Sequence, residues 1–223
     1  MKVAIYTLCR DRLAYSKRCF RSLWQNAGYP VDHYVIDNGS ADGTVEWLAN
    51  NKSRFALVVL CPENIGISRA SNLALDIIGD NYDLIVKMDN DCEIVTANLV
   101  AEMVKVFRDA PRPMMLSPRV EGINRQPKRA YTLTVGGYEI GRTGIVGGLC
   151  HWLPSKVYQQ YRYPVDLPKA WGQDDHLCGW LYKQSVEMGY VEALTVNHCD
   201  GTDGQAAKYP DHFERKRREE QAA

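Results

Sequence analysis

Short apolar runs rich in β-branched residues alternate with helix-period segments through the first half of this chain. In a parallel sheet, helices cover both faces, so the strands between them read as continuous apolar runs. The predicted strands are Val3–Leu8, His33–Ile36, Ala56–Leu60 and Leu84–Met88. The pattern predicts a βαβαβαβ unit, and hence an α/β fold with a mostly parallel, Rossmann-like sheet flanked by helices.

Apolar residues between these runs recur at the spacing that places them on one face of a helix. The predicted faces are Phe20, Leu23 and Trp24; Val45, Leu48 and Ala49; and Leu73, Ala74 and Ile77. After the fourth run come a further helical face and a fifth strand: Leu99, Met103, Val106 and Phe107, then Met114–Leu116.

The second half of the chain is less regular. Within Pro118–Pro168 an alternating pattern occurs only around Ala130–Tyr138, so we expect an irregular region of β-hairpin and loops. Helical spacing returns over Asp174–Met188 and is followed by the strand-like segment Tyr190–Val196. The tail, His212–Ala223, is polar on all sides and is predicted to be a solvated helix or a frayed end.

Charge and cysteine content argue against several classes of partner and location. Lysine plus arginine and aspartate plus glutamate number 27 each, so the chain has no net basic charge to bind nucleic acid or anionic lipid. No apolar stretch approaches the roughly 18 residues that span a bilayer. The seven cysteines are scattered and include no C-x-x-C pair, which favours reduced thiols. We therefore expect a cytoplasmic location.

Polar motifs follow each of the four predicted strands. In an open parallel sheet, ligands bind beyond the carboxyl ends of the strands, so these positions are candidates for a site. The motifs are Thr7–Arg12, Asp37–Thr44, Glu63–Asn72 and Asp89–Asp91. No G-x-G-x-x-G, P-loop or G-x-S-x-G sequence occurs, which argues against a dinucleotide fold, a P-loop and a nucleophile elbow.

Asp89 and Asp91 form an acid-x-acid pair directly after the fourth strand. Mg²⁺ and Mn²⁺ typically bind one or two carboxylates together with phosphate oxygens and water. The same residues would also suit a turn or an N-cap leading into the helix near Asn98. The pair therefore predicts a metal and diphosphate site only in combination with other motifs.

The second and third motifs are compatible with a nucleotide site. Asp37 at a strand end can accept hydrogen bonds from a nucleoside, although Asp37-Asn-Gly-Ser is also a turn sequence. The glycine of Asn64-Ile-Gly permits a tight turn beside a ligand. Arg69 and Asn72 lie three residues apart on one helix face, from which they can reach the nucleotide; a plain exposed arginine is the alternative.

Four segments taken in order resemble the family 2 glycosyltransferases of the GT-A fold. They are Val35–Thr44, Glu63–Asn72, Lys87–Asp91 and Trp171–Cys178. The resemblance implies a donor site formed by Thr7, Arg10, Asp37, Asn64, Arg69, Asn72, Asp89, Asn90, Gly148 and Trp152. In the family, the positions of Thr7 and Arg10 pack the nucleobase, that of Asp37 contacts the base, and that of Arg69 touches the nucleotide.

The resemblance also implies a metal site. Asp89 and Asp91 fall on the D-x-D positions that face the ribose, the diphosphate and the metal. His198 resembles a histidine that completes this site in many GT-A enzymes, although a lone histidine is often structural. Since imidazole suits Mn²⁺ better than Mg²⁺, Mn²⁺ is the favoured ion.

The general base of the family is the aspartate of a Glu-Asp pair that opens the late helix. Here Gln173 stands where the glutamate is expected and Asp174 stands at the base, with the adjacent Asp175 as the alternative. A carboxylate suits the role because it can take the proton of the acceptor hydroxyl.

A glycine-containing stretch is similar to one that the family places near the donor sugar and the acceptor. It includes Gly147, Gly148, His151 and Trp152. Either Trp152 or Trp171 would stack on a sugar face, although tryptophan is as often a core residue.

The resemblance implies an inverting, metal-dependent enzyme that moves a sugar from a nucleoside-diphosphate sugar, with UDP-sugar favoured, to an acceptor hydroxyl. The acceptor stays open among a glycan, a lipid-linked sugar, a protein and a modified nucleic acid. The alternatives are a nucleotidyltransferase that makes nucleotide sugars and a non-catalytic binding module of the same fold. One domain is expected over 1–223, with a nucleotide-sugar half (1–117), an acceptor and catalytic half (118–200) and a C-terminal loop and polar tail (201–223).

Overall fold

The computed structural model describes residues 1–123, 127–167 and 172–221. The strands are β1 (Val3–Cys9), β2 (Asp32–Asn38), β3 (Leu57–Cys61), β4 (Leu84–Met88), β5 (Cys92–Ile94), β6 (Met114–Glu121), β7 (Thr132–Val135), β8 (Tyr138–Arg142), β9 (Cys150–Pro154) and β10 (Glu187–His198). The helices are α1 (Leu13–Asn26), α2 (Thr44–Asn50), α3 (Ile67–Ile78), α4 (Leu99–Asp109), α5 (Ser155–Tyr158), α6 (Gln173–Lys183), α7 (Gly201–Lys208) and α8 (Pro210–Gln221). A 3-10 turn, Lys52–Arg54, follows α2.

In the described residues, ten strands form one sheet with the order β3, β2, β1, β4, β9, β6, β10, β8, β7. The strands β3, β2, β1 and β4 are mutually parallel neighbours. Beyond β4 the direction reverses, because β9 is antiparallel to both β4 and β6. β10 then runs parallel to β6, and β5 pairs antiparallel with the end of β10. The predicted α/β fold with a parallel core flanked by helices is confirmed.

One face of the parallel half is packed by aromatic and aliphatic side chains of α1 and α4. Phe20 of α1 contacts His33 of β2 with ring centroids 5.0 Å apart. Phe107 of α4 stacks on Trp152 of β9 at 6.4 Å. Side chains in a strand alternate between the two faces, so every second residue of β1, β4 and β9 points into this layer.

The opposite face contains a buried network of hydroxyl groups. The Tyr158 hydroxyl bonds the hydroxyls of Tyr6 at 2.8 Å and Tyr163 at 2.7 Å, and lies 2.9 Å from His151 Nε2. All four side chains are buried. Because the three tyrosine hydroxyls and His151 Nε2 are hydrogen-bonded to one another, their burial costs little.

Several details of secondary structure differ from expectation. The strand β9 lies in the middle of the sheet, although it falls in the region expected to be irregular β-hairpin and loops; its residues include a histidine and a proline and do not form a continuous apolar run. Met188 belongs to β10, because α6 ends at Lys183. Ala49 is on the exposed side of α2, and Gly201–Lys208 is a helix rather than a loop. In the part of the chain described, no helix is long and apolar enough to cross a bilayer.

Replacing Trp152 tests the core that β9 completes. Trp152 is 1% exposed, so W152A should lower the free energy of unfolding by about 3–5 kcal/mol through lost burial and a residual cavity. Urea denaturation measures this loss. W152F should lose less, and Tyr182→Ala, at a position 77% exposed, should change it by no more than about 0.5 kcal/mol. Equal effects of W152A and Tyr182→Ala on the free energy of unfolding would contradict the placement of Trp152 in the core.

Candidate active site

Asp37 lies at the carboxyl end of β2, and one of its two carboxylate oxygens has no hydrogen-bond partner in the protein. Its side chain is fully buried, and its Oδ2 accepts a hydrogen bond from the Ser40 backbone N–H at 2.9 Å. Its Oδ1 is also buried but has no hydrogen-bond partner in the protein. Buried carboxylate oxygens are normally paired, so Oδ1 is an unsatisfied acceptor that the surrounding protein encloses.

Lys87 is the penultimate residue of β4, and its side chain is buried. This buried ammonium donates to Asp89 Oδ1 at 2.5 Å and to the Gly148 carbonyl at 2.8 Å. Burial by itself would lower the pKa of Lys87, but the charges of Asp89 and Asp174, together with the hydrogen bond to Asp89, outweigh it and raise the pKa. The lysine therefore remains a cation that links the end of β4 to the start of β9.

Asp89 retains 39% of its side-chain surface exposed. We call the space between Asp89 and Asp174 the cleft. Its enclosed surroundings raise its pKa to about 6, with Lys87 opposing the rise and Asp91 adding to it. Asp89 is also anchored through its backbone, since its N–H donates to the Leu149 carbonyl at 2.8 Å. The carboxylate is thus held at the cleft edge between a cation and a second acid.

Asp91 is buried and surrounded by donors. Its Oδ2 accepts from Arg12 Nη1 at 2.9 Å and Gln205 Nε2 at 3.1 Å, and lies 3.5 Å from His198 Nε2. Burial alone would raise the pKa of Asp91, but hydrogen bonding from His198 and the Arg12 charge outweigh it and hold the pKa below the usual range. The same contact raises the pKa of His198 against the effect of its own burial.

Asp91 and His198 provide a donor set that fits Mn²⁺ or Mg²⁺. A carboxylate and an imidazole with atoms 3.5 Å apart are suitable ligands, particularly for Mn²⁺. Asp89 turns one oxygen towards Lys87, and within the described residues no three His, Cys, Asp or Glu side chains converge on one ion position. An ion bound to Asp91 Oδ2 would lie beside the Arg12 guanidinium.

Asp174 lies on the other side of the cleft, in the first turn of α6. Its carboxylate packs against Gly148, where a Cβ would come within 2.5 Å of Asp174 Oδ2. The Asp174 charge also contributes to the pKa shifts of Lys87 and Asp89, which are close by. Asp175, by contrast, is exposed. The fold thus brings Asp174 to the cleft that Asp89 borders.

Comparison with known families classifies this chain. Residues 5–186 match the model of glycosyl transferase family 2. The chain belongs to this family. A search of curated protein sequences finds no match.

Solved structures with a similar fold include three glycosyltransferases. The mannosyltransferase PcManGT from Pyrobaculum calidifontis, in complex with GDP-Man and Mn²⁺, has a TM-score of 0.69 and 16% identity, covering 93% of this chain and 59% of that chain. S. aureus TarS 1–349 in complex with UDP-GlcNAc has a TM-score of 0.69 and 14% identity, covering 88% and 58%. GalNAc-T7 with UDP, GalNAc and Mn²⁺ has a TM-score of 0.69 and 13% identity, covering 91% and 44%. These similarities show the GT-A fold, and the family 2 chain spans less than two thirds of the length of each of the three proteins.

Three residues expected in the donor site of this family 2 protein are used inside the fold instead. Thr7 is fully buried, and its Oγ1 lies 3.0 Å from His33 Nε2. Asn72 donates to the Tyr163 carbonyl at 2.9 Å and accepts from the Tyr163 N–H at 2.8 Å. Trp152 is packed in the core, so it cannot stack on a sugar. All three are removed from the candidate donor site.

The other predicted donor residues stay close to the strand ends. Asn90 is buried and bonds Ser16 Oγ and Arg12, so it supports the D-x-D segment from within. Asn64 Oδ1 accepts from the Gly66 N–H at 3.0 Å and shapes the turn into α3. Arg10 is partly exposed after β1, and Arg69 is exposed on α3. Trp171 lies outside the described residues.

Sequence reasoning missed Lys87 and Gln205, and it included Arg12 only as the last residue of the motif after β1, without a role. Lys87 was part of a matched motif, and a lysine inside an otherwise apolar strand is a usable signal, because lysine is almost never buried without a partner. Gln205 has no comparable signal. Arg12 and Gln205 lie 193 positions apart in the chain and are hydrogen-bonded to each other beside Asp91.

Replacing Asn72 by Asp separates a structural role from donor binding. N72D keeps the acceptor for the Tyr163 N–H but places an oxygen against the Tyr163 carbonyl, so the free energy of unfolding should fall by about 1–3 kcal/mol. Urea denaturation gives the loss, and UDP affinity of the folded protein should not change. Asp76→Asn is the matched control. Asp76 is on the same helix as Asn72 and forms an exposed ion pair with Arg162. A loss of UDP affinity without a loss of stability would return Asn72 to the donor site.

Proposed function

We propose that this protein is an inverting, metal-dependent glycosyltransferase that transfers a sugar from a nucleoside-diphosphate sugar to an acceptor hydroxyl. The observation that carries the proposal is the placement of Asp174 against Gly148, at the cleft bordered by Asp89. A proton acceptor and a diphosphate site thus flank one space. Family membership supports the same reaction class.

The nucleotide is proposed to bind beyond the carboxyl ends of β1, β2 and β3. Asp37 Oδ1 has no partner in the protein and would accept an N–H of the base. Uracil N3–H is such a donor, which is one reason to favour a UDP-sugar. Arg10, Arg69 and Asn64 border the same edge and are assigned to the nucleotide, with Arg69 exposed and free to approach it.

Asp91 and His198 are proposed to hold a divalent ion, with Asp89 as the second carboxylate facing the donor. When bound, the ion would neutralise charge on the diphosphate and make the nucleoside diphosphate a better leaving group. Mn²⁺ is favoured because of the imidazole. Two of the similar structures, PcManGT and GalNAc-T7, are complexes with Mn²⁺.

Asp174 is proposed to be the general base. As the acceptor oxygen forms a bond to the anomeric carbon, the bond from that carbon to the diphosphate oxygen breaks on the opposite side. The hydroxyl proton passes to the Asp174 carboxylate, and the nucleoside diphosphate leaves with the electron pair of the broken bond. Displacement from the opposite side inverts the anomeric configuration. Gly148 leaves room for Asp174 at this point, because any side chain there would displace the carboxylate.

The acceptor is proposed to enter over the 118–200 part of the chain, opposite the nucleotide-binding half. Its identity stays open among a glycan, a lipid-linked sugar, a protein and a modified nucleic acid. A nucleotidyltransferase would release pyrophosphate and a binding module would release nothing, so the product separates these alternatives from the proposal.

Removing the proposed base tests the mechanism. D174N should lower the rate of Mn²⁺-dependent UDP release from UDP-sugars by about 100-fold or more, since general-base catalysis contributes about 10²–10⁴-fold. UDP binding, measured by calorimetry, should be retained. The neighbouring change D175N is the control and should stay within a few-fold of wild type. If D175N alone abolished UDP release, the assignments of the two aspartates would have to be exchanged.

Changing the unpaired oxygen of Asp37 tests nucleotide binding separately. In D37N an amide N–H replaces one carboxylate oxygen and opposes the N–H of the base, so UDP affinity should fall about tenfold or more, given about 1–3 kcal/mol for an unsatisfied buried group. Calorimetric titration with UDP measures the change. Glu46→Gln on the exposed side of α2 removes one charge nearby and should have no effect. Unchanged UDP affinity in D37N would rule out the contact.

A further inference from the structure

Arg12 lies against Asp91, in a position that the D-x-D motif does not explain. Its Nη1 donates to Asp91 Oδ2 at 2.9 Å and to Gln205 Oε1 at 2.7 Å, and its Nη2 donates to Asn90 Oδ1 at 3.1 Å. The side chain is largely buried, and its Nε is buried without a hydrogen-bond partner. The guanidinium is therefore a resident cation of the site, with one donor left unsatisfied in the free protein.

Three side chains already contact Asp91 Oδ2, those of Arg12, Gln205 and His198. Gln205 Nε2 donates to this oxygen at 3.1 Å and to the Cys199 carbonyl at 2.8 Å, so α7 fixes the amide in place. His198 Nε2 lies within 3.5 Å of the same oxygen. An ion that binds to this oxygen has to displace donors and approach the like charge of Arg12. In this arrangement Arg12 and the ion exclude each other.

Arg12 is also connected to the proposed nucleobase site. Asp11 and Arg12 both have left-handed backbone conformations, with φ of 55° and 58°, which non-glycine residues keep only when their surroundings hold them. The Asp11 N–H donates to Ser40 Oγ at 2.8 Å, and Asp11 Oδ1 accepts from the Ala41 N–H at 2.8 Å. Ser40 in turn donates its N–H to Asp37 Oδ2. Continuous hydrogen bonds thus join the loop after β2 to the backbone that carries Arg12.

We propose that Arg12 couples nucleotide binding to metal binding. In the free protein it neutralises Asp91 and stands in the place of the ion. When a nucleoside diphosphate enters, the guanidinium turns to the phosphate oxygens, which its planar fork is suited to bind, and Asp91 is released to the ion. The inference rests on the proposed function, because it takes the diphosphate from the nucleotide-sugar donor.

The coupling has a thermodynamic consequence that does not depend on turnover. If the nucleotide draws Arg12 away from Asp91, the nucleotide raises the affinity for the ion, and the ion raises the affinity for the nucleotide by the same factor. A diphosphate that supplies ligands to the ion also produces such an effect. The part of the coupling that is due to Arg12 should vanish when the arginine is replaced by an uncharged residue. The nucleotide-free protein then binds the ion more tightly, so the nucleotide has less affinity to add.

The test is Mn²⁺ binding to the full chain, measured by electron paramagnetic resonance with and without UDP. Without UDP, R12M should bind Mn²⁺ about tenfold more tightly than wild type, because couplings between sites are typically about 5- to 150-fold. The gain in Mn²⁺ affinity on adding UDP should be smaller in R12M than in wild type. Equal Mn²⁺ affinities of R12M and wild type in the absence of UDP would overturn the inference.

Three further variants keep the test specific. R12K retains a cation, so it should keep the weak, UDP-dependent Mn²⁺ binding of wild type. Arg18→Met removes a cation from α1, the helix that follows Arg12. Arg18 pairs with Glu93 and Asp200, so this change should leave Mn²⁺ affinity unchanged. Adding D91N to R12M should abolish the tight binding. Tight binding that survives D91N, or that also arises in Arg18→Met, would count against Arg12 as the cause.

The outcomes distinguish this inference from the proposed function. Circular dichroism of each variant first establishes that it is folded, and R12K gives a charge-retaining comparison with R12M. If wild type with UDP binds Mn²⁺ through Asp91 but R12M gains nothing without UDP, only the role of Arg12 is wrong. If no protein binds Mn²⁺ through Asp91 even with UDP, metal dependence fails and the coupling fails with it.

Discussion

Two carboxylates at the end of a buried strand govern the arrangement of the rest of the cleft. Asp89 and Asp91 follow β4 into enclosed space, where an ionised carboxylate without a partner is strongly unfavourable. Each has its own cation, Lys87 for Asp89 and Arg12 for Asp91. A lysine inside a central strand and an arginine in a left-handed turn are otherwise unfavourable choices. They become favourable because the acids are there to be neutralised.

Residues from the C-terminal part of the chain also contact Asp91. β10 pairs with β5 so that His198 stands opposite Cys92, which places the imidazole beside Asp91. The chain then turns into α7, where Gln205 accepts a hydrogen bond from Arg12 and donates one to Asp91. Since the family model ends at residue 186, both His198 and Gln205 come from a part of the chain beyond the matched residues. The metal-ligand candidates therefore combine a residue of the matched range, Asp91, with His198, which lies after it.

Particular elements show how far sequence patterns reach. Leu84–Met88 was predicted with the bounds that the structure has, because a fully buried parallel strand is a continuous apolar run and the acids after it mark its end. The strand β9 escaped prediction because Cys150–Pro154 includes a histidine and a proline and is not a continuous apolar run. The family resemblance put Trp152 in the expected donor site, whereas its pairing with Val86 turns it into the layer packed by Phe107.

Residues within a few positions of one another were enough to predict the parallel half of the sheet, the order of its strand-end motifs and the pair of acids after β4. Which of those side chains face the cleft depends instead on contacts between distant parts of the chain. Thr7 and Asn72 lie in motifs at the ligand edge, yet both are bonded inside the fold. Arg12 and Gln205 meet Asp91 only after the whole sheet has formed, and a contact across 193 positions has no local pattern to predict it.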